Sequence, residues 1–237
     1  MIVTNQHPRI NVFPSTAGAA ARATLKLHLP PHAETTWLAE VRQMRGKVLY
    51  DHGRRPSFLR PNDEFDDPDP YDLASHHIVA RAGGKVVATL RHTFLSNPHC
   101  GMVASILGAS CLDAVIRDMG VSRRRVTEFS RWTALREHRG CIGRRLVAAG
   151  WALVRWADCV GFILAGTRDR QDVALIRMGT RPVPGIPLIH CSDLDDDLRL
   201  MVAIAAELPQ FMLTHVNAAA EEMNLVPGKS LPPSEDV

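Results

Sequence analysis

A strand, a glycine-bearing turn and a helix follow one another between Val126 and Ala157. The helix is expected to begin after the turn His138-Arg-Gly-Cys-Ile-Gly143, and a helix start offers free backbone N–H groups and the positive end of the helix dipole. Basic side chains crowd this turn: Arg136, His138, Arg139, Arg144 and Arg145. Such a turn suits a phosphate group. Its two glycines, Gly140 and Gly143, are explained equally well by a tight turn that binds nothing.

A second group of charged residues is spread over three other segments. Asp63 and Asp66 form an Asp-x-x-Asp pattern in a proline-rich loop. Arg91 lies near the end of one strand, and Glu128 and Arg131 lie on the next long strand. Arginine holds carboxylates in a fixed geometry, and such pairs can leave a cationic patch that orients a carboxylate ligand. Taken singly, each residue is better explained as a structural ion pair; taken as one ordered set, they favour a functional site.

The elements that must position these residues can be predicted from periodicity. Apolar residues at helical spacing predict a helix over 36–50, and alternation around a Gly-Gly turn predicts a hairpin over 77–94. A weaker helix is expected over 102–119, followed by strands at 126–135 and 160–166. Later elements are a helix at 171–178, strands near 187–190 and 198–203, and a helix at 210–223. This order predicts an α/β (α+β) protein with one mixed sheet and helices on its faces.

One domain, residues 36–224, accounts for these elements. Residues 1–35 are expected to form an N-terminal arm, although the segment 23–29 could add a strand. Residues 225–237 are rich in proline and polar residues and are expected to form a flexible tail.

Composition excludes several classes of protein. The chain has 237 residues, 46% of them hydrophobic and 22% charged, which excludes a disordered tail or a coiled coil as the main state. The net charge of +3 is too balanced to predict nucleic-acid binding. No apolar run reaches the length of about 18 residues that a membrane helix needs, and no signal peptide is evident. Five irregularly spaced cysteines indicate reduced thiols, and hence a cytoplasmic protein.

Two sequence features that could bind metal are better explained otherwise. His76 and His77 are neighbours on a strand, so their side chains face opposite sides of the sheet. The acidic run from Asp193 to Asp197 lacks the glycine and the spacing of a calcium loop. We therefore expect no metal site.

The strand, turn and helix resemble those of the GNAT superfamily of N-acyltransferases. In that superfamily an Arg-x-x-Gly-x-Gly loop holds the pyrophosphate or pantetheine arm of an acyl thioester. Here the segment is Glu137-His-Arg-Gly-Cys-Ile-Gly-Arg-Arg-Leu146, in which Cys141 and Gly143 stand where two glycines are usual. The residues that the resemblance implies for the thioester arm are Arg139, Gly140, Cys141, Ile142, Gly143 and Arg144. The departure favours relatives that take a long acyl chain from an acyl carrier protein, with acyl-CoA as the alternative donor.

Two groups of GNAT relatives are similar over about residues 37–190: the autoinducer synthases, which make acyl-homoserine lactones, and the N-acyl amino acid synthases. Both have an Asp-x-x-Asp turn, here Asp63 and Asp66. Both also have a strand ending in Thr/Ser-Leu-Arg, here Thr89-Leu-Arg91, and Glu-x-Ser-Arg on the next long strand, here Glu128-Phe-Ser-Arg131.

The resemblance implies a GNAT-like, mostly antiparallel sheet and the attack of an amine on a thioester. The attacking amine must be neutral, and Glu128 in a partly desolvated cleft is the candidate base. The same resemblance assigns the catalytic geometry to Arg91, Arg131, Asp63 and Asp66, and substrate contacts to Arg45, Ser130 and His77. Backbone N–H groups on the Glu128 strand would polarise the thioester carbonyl. The acyl chain would lie in an apolar tunnel between helices and sheet, and no cofactor would be bound permanently.

The acceptor is the open question. Autoinducer synthases build their S-adenosylmethionine pocket from an arginine, a phenylalanine and a tryptophan. This chain offers Arg45 with Leu49 or Tyr50, and no tryptophan follows before Asp63. The segment Ser75-His76-His77 resembles the Ser-x-His of N-acyl amino acid synthases. We therefore expect an amino acid or an amino-acid-derived amine as acceptor, and a lactone synthase that uses S-adenosylmethionine is the alternative.

Two further hypotheses concern partners. The shortened glycine pattern at Cys141 is also compatible with a catalytically silent GNAT-like module that binds an acyl ligand or a partner protein. The basic run Arg123-Arg124-Arg125 is either a solvated turn or a docking surface for an acidic carrier protein.

Overall fold

Eight strands form one mixed sheet among residues 23–31, 33–96 and 101–225, which the computed structural model describes. The strands are β1 Thr24–His28, β2 His76–Ala82, β3 Lys85–Phe94, β4 Val126–Ala134, β5 Val160–Gly166, β6 Arg181–Pro182, β7 Ile189–Cys191 and β8 Asp196–Ile204. The α-helices are α1 Thr36–Asp51, α2 Met102–Leu107, α3 Ala109–Asp118, α4 Arg139–Trp156, α5 Gln171–Arg177 and α6 Leu213–Glu222. None of these helices is long and apolar enough to cross a membrane.

The sheet contains a split between its two parallel strands. Its order is β1-β2-β3-β4-β5-β8-β6, with β7 also paired to β8, and every pairing except β4–β5 is antiparallel. β4 and β5 pair only from Val126 to Phe129 and from Val160 to Ile163. Beyond that point β4 stays paired with β3 and β5 with β8. The two strands therefore diverge and leave a cleft between them.

A β-bulge lies on β4 at the start of this cleft. Thr89 of β3 is opposite Thr133, whereas Arg91 is opposite Ser130, so β4 has one extra residue in this interval. Arg131 adopts a positive φ of 55° there, a conformation that non-glycine residues rarely adopt. A bulge reorients the side chains of the residues it contains. Arg131 can therefore point to the same side as Ser130, contrary to the alternation of a regular strand.

Helices cover both faces of the sheet. α4 packs on one face, where Leu90 and Phe129 belong to the same apolar cluster as Leu146 and Val154. α1 packs on the other face through Val41 and neighbours. α2 and α3 extend that second layer in a further cluster with β4, β5 and β8. The site residues described below lie on the face that α1 and α2 cover.

The predicted fold class is confirmed: the sheet is mixed, mostly antiparallel and flanked by helices. Three local predictions need correction. The helix expected over 102–119 is two helices, because Gly108 interrupts it with a φ of 88°. The turn expected over 138–143 is helical, since α4 begins at Arg139. The short strand β6 was missed.

Part of the predicted N-terminal arm belongs to the sheet. Thr24–His28 forms the edge strand β1 and pairs with β2 over its whole length. This is the strand that the sequence allowed as an alternative. Residues 1–22 of the predicted arm and 226–237 of the predicted tail lie outside the described residues.

Candidate active site

A buried network of arginines and aspartates joins α1 to the loop that precedes β2. Arg45 is completely buried, with Nε 2.9 Å from Asp67 Oδ2 and Nη2 2.6 Å from Asp72 Oδ2. Arg42, one helical turn earlier, donates from Nε to the same Asp72 oxygen over 2.9 Å. Charge-assisted hydrogen bonds of this kind are short and directional. Asp72 therefore fixes the end of the loop on the helix.

The sheet supplies two more arginines to this network. Arg91 Nη1 lies 2.5 Å from Asp69 Oδ1 and 3.2 Å from Asp72 Oδ1. Arg131 Nε and Nη2 both contact Asp69 Oδ2, at 2.7 and 2.5 Å. Ser130 Oγ accepts a 3.0 Å hydrogen bond from Arg91 Nε. The bulge on β4 thus lets two consecutive residues, Ser130 and Arg131, serve the same cluster.

The arginines keep the buried aspartates ionised. Burial by itself would raise the pKa of Asp72, but the hydrogen bonds and charges of Arg45, Arg42 and Arg91 outweigh it and hold that pKa far below its usual range. Burial is likewise outweighed at Asp69, where the charges of Arg91 and Arg131 lower the pKa. Both carboxylates are therefore charged at neutral pH.

Glu128 has the opposite character. Its carboxyl group is fully buried, and burial raises its pKa in spite of the Arg91 charge nearby. Oε2 accepts a 2.7 Å hydrogen bond from the backbone N–H of Val103, at the start of α2. Oε1 has no hydrogen-bond partner among the described residues, and neither has Nη2 of Arg91, 3.9 Å away. An acceptor and a donor thus face each other across a gap that a small polar group can bridge.

Asp63 and Asp66, predicted as catalytic, lie outside this network. Asp63 is exposed at a turn and has a positive φ of 61°, which aspartate tolerates better than most residues. The Asp66 backbone packs against Gly46 of α1, and the carboxylate turns outward to Arg60 Nη2 at 2.7 Å. The sequence allows Arg91 and Arg131 to pair with Asp63, Asp66 or Glu128. Neither Asp63 nor Asp66 is their partner among the described residues, whereas Glu128 Oε1 lies 3.9 Å from Arg91 Nη2.

Two aspartates of the network form a second Asp-x-x-Asp segment, which begins six residues after the first and was not predicted as functional. Asp69-Pro-Tyr-Asp72 repeats the Asp-x-x-Asp spacing and stands closer to the hairpin. Asp67 adds a third buried carboxylate, 3.4 Å from Arg131 Nη2. Of the two Asp-x-x-Asp segments, the one nearer to β2 contains the two aspartates that contact Arg91.

Three predicted substrate residues are brought together here. Arg45 and Ser130 contact the network as described, and His77 Nε2 lies 2.9 Å from the backbone carbonyl of Asp72. Burial lowers the pKa of His77 to about 4, so its ring is neutral at pH 7 and can donate that hydrogen bond. All three side chains are thus already engaged in holding the loop before β2 against the sheet.

A cavity of about 100 Å³ lies in the split between β4 and β5. Glu128, Ser130 and Arg131 line it from β4, and Gly166 lines it from β5. A smaller apolar pocket of about 20 Å³ lies between the sheet and α4. Four residues line both spaces: Phe129, Trp132, Ile163 and Leu175. The polar cavity and the apolar pocket are therefore adjacent.

The residues predicted to hold a thioester arm form the first turns of α4. Arg139, Gly140, Gly143 and Arg144 line a groove of about 440 Å³ between α4, α5 and the segment that leads into α6. Cys141 is exposed, whereas Ile142 is completely buried in the core. No carboxylate of the described residues lines this groove, so it is a cationic surface beside a helix start.

The residues at the end of α1 that line the cavity do not form the aromatic wall expected of an S-adenosylmethionine pocket. Leu49 lines the cavity, whereas the Tyr50 ring packs against Phe65 with centroids 5.4 Å apart. Arg54, just beyond the end of α1, also lines the cavity. A leucine and an arginine therefore stand on this side of the cavity.

The basic run at 123–125 lies far from the groove. It precedes β4, whereas the groove follows it, and nine strand residues at about 3.3 Å each separate the two. Arg123 forms an ion pair with Asp113, and Arg125 pairs with Asp158 at 2.7 Å. Two of the three arginines are thus already neutralised.

The split sheet and the helix start beside it agree with the GNAT-like fold that the sequence motifs imply. Among solved structures, the chain is similar to BjaI, a CoA-dependent acyl-homoserine lactone synthase determined with MTA, with a TM-score of 0.59 and 13% identity over 86% of this chain and 90% of that one. It is also similar to FeeM, an N-acyl amino acid synthase from uncultured soil microbes, with a TM-score of 0.57 and 10% identity over 84% and 98%.

A third similar structure is that of TofI in a ternary complex with an inhibitor and MTA, with a TM-score of 0.58 and 14% identity over 86% and 98% of the two chains. No known family profile matches the sequence. No curated protein matches it either. The likeness confirms that the chain shares the fold of the two groups of synthases that its motifs resemble.

Proposed function

We propose that the protein is an N-acyltransferase that moves an acyl group from a thioester to the amine of an amino acid or an amino-acid-derived acceptor. The observation that carries the proposal is the buried Glu128 carboxylate on the wall of the β4–β5 cavity, with one oxygen that has no hydrogen-bond partner among the described residues. The fold shared with acyl-homoserine lactone and N-acyl amino acid synthases supports it.

Glu128 is the proposed general base. Its raised pKa brings the carboxylate closer to the basicity needed to take a proton from an ammonium group, directly or through a water molecule. Oε1 is free to accept that proton, since Val103 occupies only Oε2. Loss of the proton leaves a neutral amine, whose lone pair attacks the thioester carbonyl, and the thiol departs.

Arg91 and Arg131 are the proposed positioning residues. Asp69 and Asp72 fix the Arg91 guanidinium, and Asp67 and Asp69 fix that of Arg131. Nη2 of Arg91 is left to hold a substrate oxygen beside Glu128. Arg45 acts indirectly, by holding Asp72 in place. These roles replace those first assigned to Asp63 and Asp66.

The groove at the start of α4 is the proposed donor site. Arg144 and Arg177 on its rim are exposed and have no ion-pair partner among the described residues. They can bind the phosphate of a phosphopantetheine arm or the acidic surface of an acyl carrier protein. The apolar pocket beside Phe129 is the proposed path of the acyl chain, although it is narrow in this structure.

The donor site can be tested by charge reversal. Arg144→Glu is expected to raise KM for the acyl donor at least about tenfold, since it replaces an attraction to phosphate with a repulsion. Arg124→Glu, on the exposed run before β4, is the matched control and should leave KM unchanged. Comparing decanoyl carrier protein with decanoyl-CoA identifies the donor. Equal effects of the two reversals would contradict the assignment of the groove.

The function itself can be tested by mass spectrometry of lipid extracts. Cells overexpressing the wild type are grown with labelled methionine or labelled amino acids, beside cells expressing Glu128→Gln and the surface control Glu221→Gln. We expect a new N-acyl product with the wild type and the control, and loss of at least about a hundredfold with Glu128→Gln.

Each outcome separates the alternatives. Amino-acid label in the product supports the amino acid acceptor, whereas label from methionine in a lactone favours the autoinducer route. No new product from the wild type favours the silent acyl-binding module. Full activity of Glu128→Gln would overturn the proposed mechanism.

A further inference from the structure

Arg54 is a buried cation of the cavity that the mechanism above does not use. Its side chain is only 8% exposed, and it lines the same cavity as Glu128. Nη2 lies 2.9 Å from Asp169 Oδ2 and 3.3 Å from Asp196 Oδ2. The hydrogen bond to Asp169 and both ion pairs are made by Nη2. A guanidinium carries five N–H donors on three nitrogens, so Nε and Nη1 offer further donors to a ligand.

The ion pairs of Arg54 place its charge across the cleft from Glu128. Asp169 follows β5 and Asp196 begins β8, whereas Glu128 belongs to β4 on the other side of the split. The cavity thus has the Glu128 carboxylate on one wall and the Arg54 guanidinium, beside the Asp196 carboxylate, on the other. An α-amino acid carries an ammonium and a carboxylate one carbon apart, and this arrangement complements both charges.

The other cation on the cavity wall is less available. Arg131 has two buried aspartates as partners, and its Nε and Nη2 are both occupied. One partner of Arg54, Asp169, is a weaker competitor for a ligand because it is half exposed, whereas Asp196 is buried and stays paired with Arg54 through Oδ2. A bound carboxylate can therefore share Arg54 with Asp196 and displace Asp169 into solvent.

We propose that Arg54 selects acceptors that have a free α-carboxylate, by binding this carboxylate while Glu128 receives the amine. The inference rests on the proposed acyl transfer and adds a specificity-determining residue to it. The resemblance to autoinducer synthases predicts aromatic residues on this wall of the cavity. Leu49 and Arg54 line it instead. The acceptor is accordingly expected to be a compact amino acid.

The test compares acceptors that differ only at the carboxyl group. L-α-amino acids and the matching L-α-amino acid amides are offered one at a time with a decanoyl thioester to the wild type, Arg54→Gln and Arg54→Lys. Arg55→Gln is the matched control, because Arg55 pairs with the exposed Asp193 and does not line the cavity. KM and kcat are measured for each acceptor, and thermal unfolding monitors folding.

We expect the wild type to prefer the acid over its amide at least tenfold in kcat/KM. Arg54→Gln should lose that preference through a higher KM for the acid, with kcat and the values for the amide changed less than twofold. Arg54→Lys should recover part of the preference, and Arg55→Gln should keep all of it. The ratio of kcat/KM for the acid to kcat/KM for the amide decides the test, since a general loss of structure would lower acid and amide activity together.

Three results would overturn the inference. In the first, Arg54→Gln retains the preference for the acid; in the second, it loses acid and amide activity equally, which would reduce Arg54 to a structural ion pair. Either result leaves the acyl transfer intact and refutes only the role of Arg54. A wild-type protein that acylates no amine refutes the proposed function itself, and this inference with it.

Discussion

Replacing Asp72 by asparagine tests whether the buried network or the exposed acidic turn is the structurally important Asp-x-x-Asp copy. The change keeps the shape of the side chain and removes one negative charge from a site that Arg42, Arg45 and Arg91 share. Asp66→Asn is the matched control. It makes the same chemical change in the other copy, where the carboxylate has the single, partly exposed partner Arg60.

The expected cost follows from burial. The side chains of Asp72, Arg45 and Arg91 are completely buried, and breaking a buried ion pair costs about 3–5 kcal/mol because a charge is left uncompensated. Loss of the exposed Asp66–Arg60 pair costs about 0–1 kcal/mol. For a chain of this size 1 kcal/mol corresponds to about 2–4 °C in Tm. Asp72→Asn should therefore lower Tm by roughly 10 °C, and Asp66→Asn by no more than about 4 °C.

Thermal and urea unfolding, followed by circular dichroism at pH 7 and low salt, measure both variants. The free energy of unfolding in urea serves as an independent check on Tm. Similar shifts for the two variants, or a larger shift for Asp66→Asn, would refute the assignment of Asp72 as the residue that fixes the loop on α1. A larger shift for Asp66→Asn would make the exposed turn the structurally important copy.

Three further predictions follow from the site and the core. The fall of kcat/KM on the acid side of its pH profile is expected to occur above pH 4.5, because Glu128 acts as the carboxylate and burial raises its pKa. Glu128→Gln should abolish this fall. A fall that occurs below pH 4.5 would contradict the raised pKa. Burial lowers the pKa of His76 to about 4 and that of His92 well below 6.5, so the unfolded chain binds more protons below pH 6.5 and stability falls as the pH drops towards 4. For His76 the loss at pH 5 is about 2 kcal/mol in urea unfolding. Equal stability at pH 7 and pH 5 would refute this prediction. Gly161→Ala would place a methyl carbon 2.5 Å from Cε2 of Phe129 and should cost about 1–3 kcal/mol in the same assay, whereas an unchanged urea midpoint would contradict this close contact.

The sequence predicts the fold well where local patterns decide it. The hairpin over 77–94 is found as β2 and β3, because alternation and the Gly-Gly turn are local signals. The helix over 36–50 likewise agrees with α1, which Thr35 caps by accepting from the Leu38 N–H. The start of α4 was placed too late, since the glycines of that segment suggested a loop. In the folded chain, Gly143 lies against Trp132, and packing outweighs its low helix propensity.

The candidate site is less predictable, because it depends on contacts between distant segments. The Glu128 and Arg131 motif is local, but the bulge that turns Arg131 towards Asp69 arises only when β3 and β4 pair. Which of two Asp-x-x-Asp copies is buried depends on how the loop crosses α1, and Gly46 decides this by admitting the Asp66 backbone. Arg54 carries no motif at all, so only the cavity reveals it.

Trp132 borders the cavity in the sheet split, the apolar pocket and the groove at the start of α4. Its indole therefore separates the three spaces, and the donor and the acceptor would contact it from different sides. A chain in which the other three tryptophans are replaced by phenylalanine would have one fluorophore at this junction. Its emission would give the order in which donor and acceptor arrive, without any label attached to either.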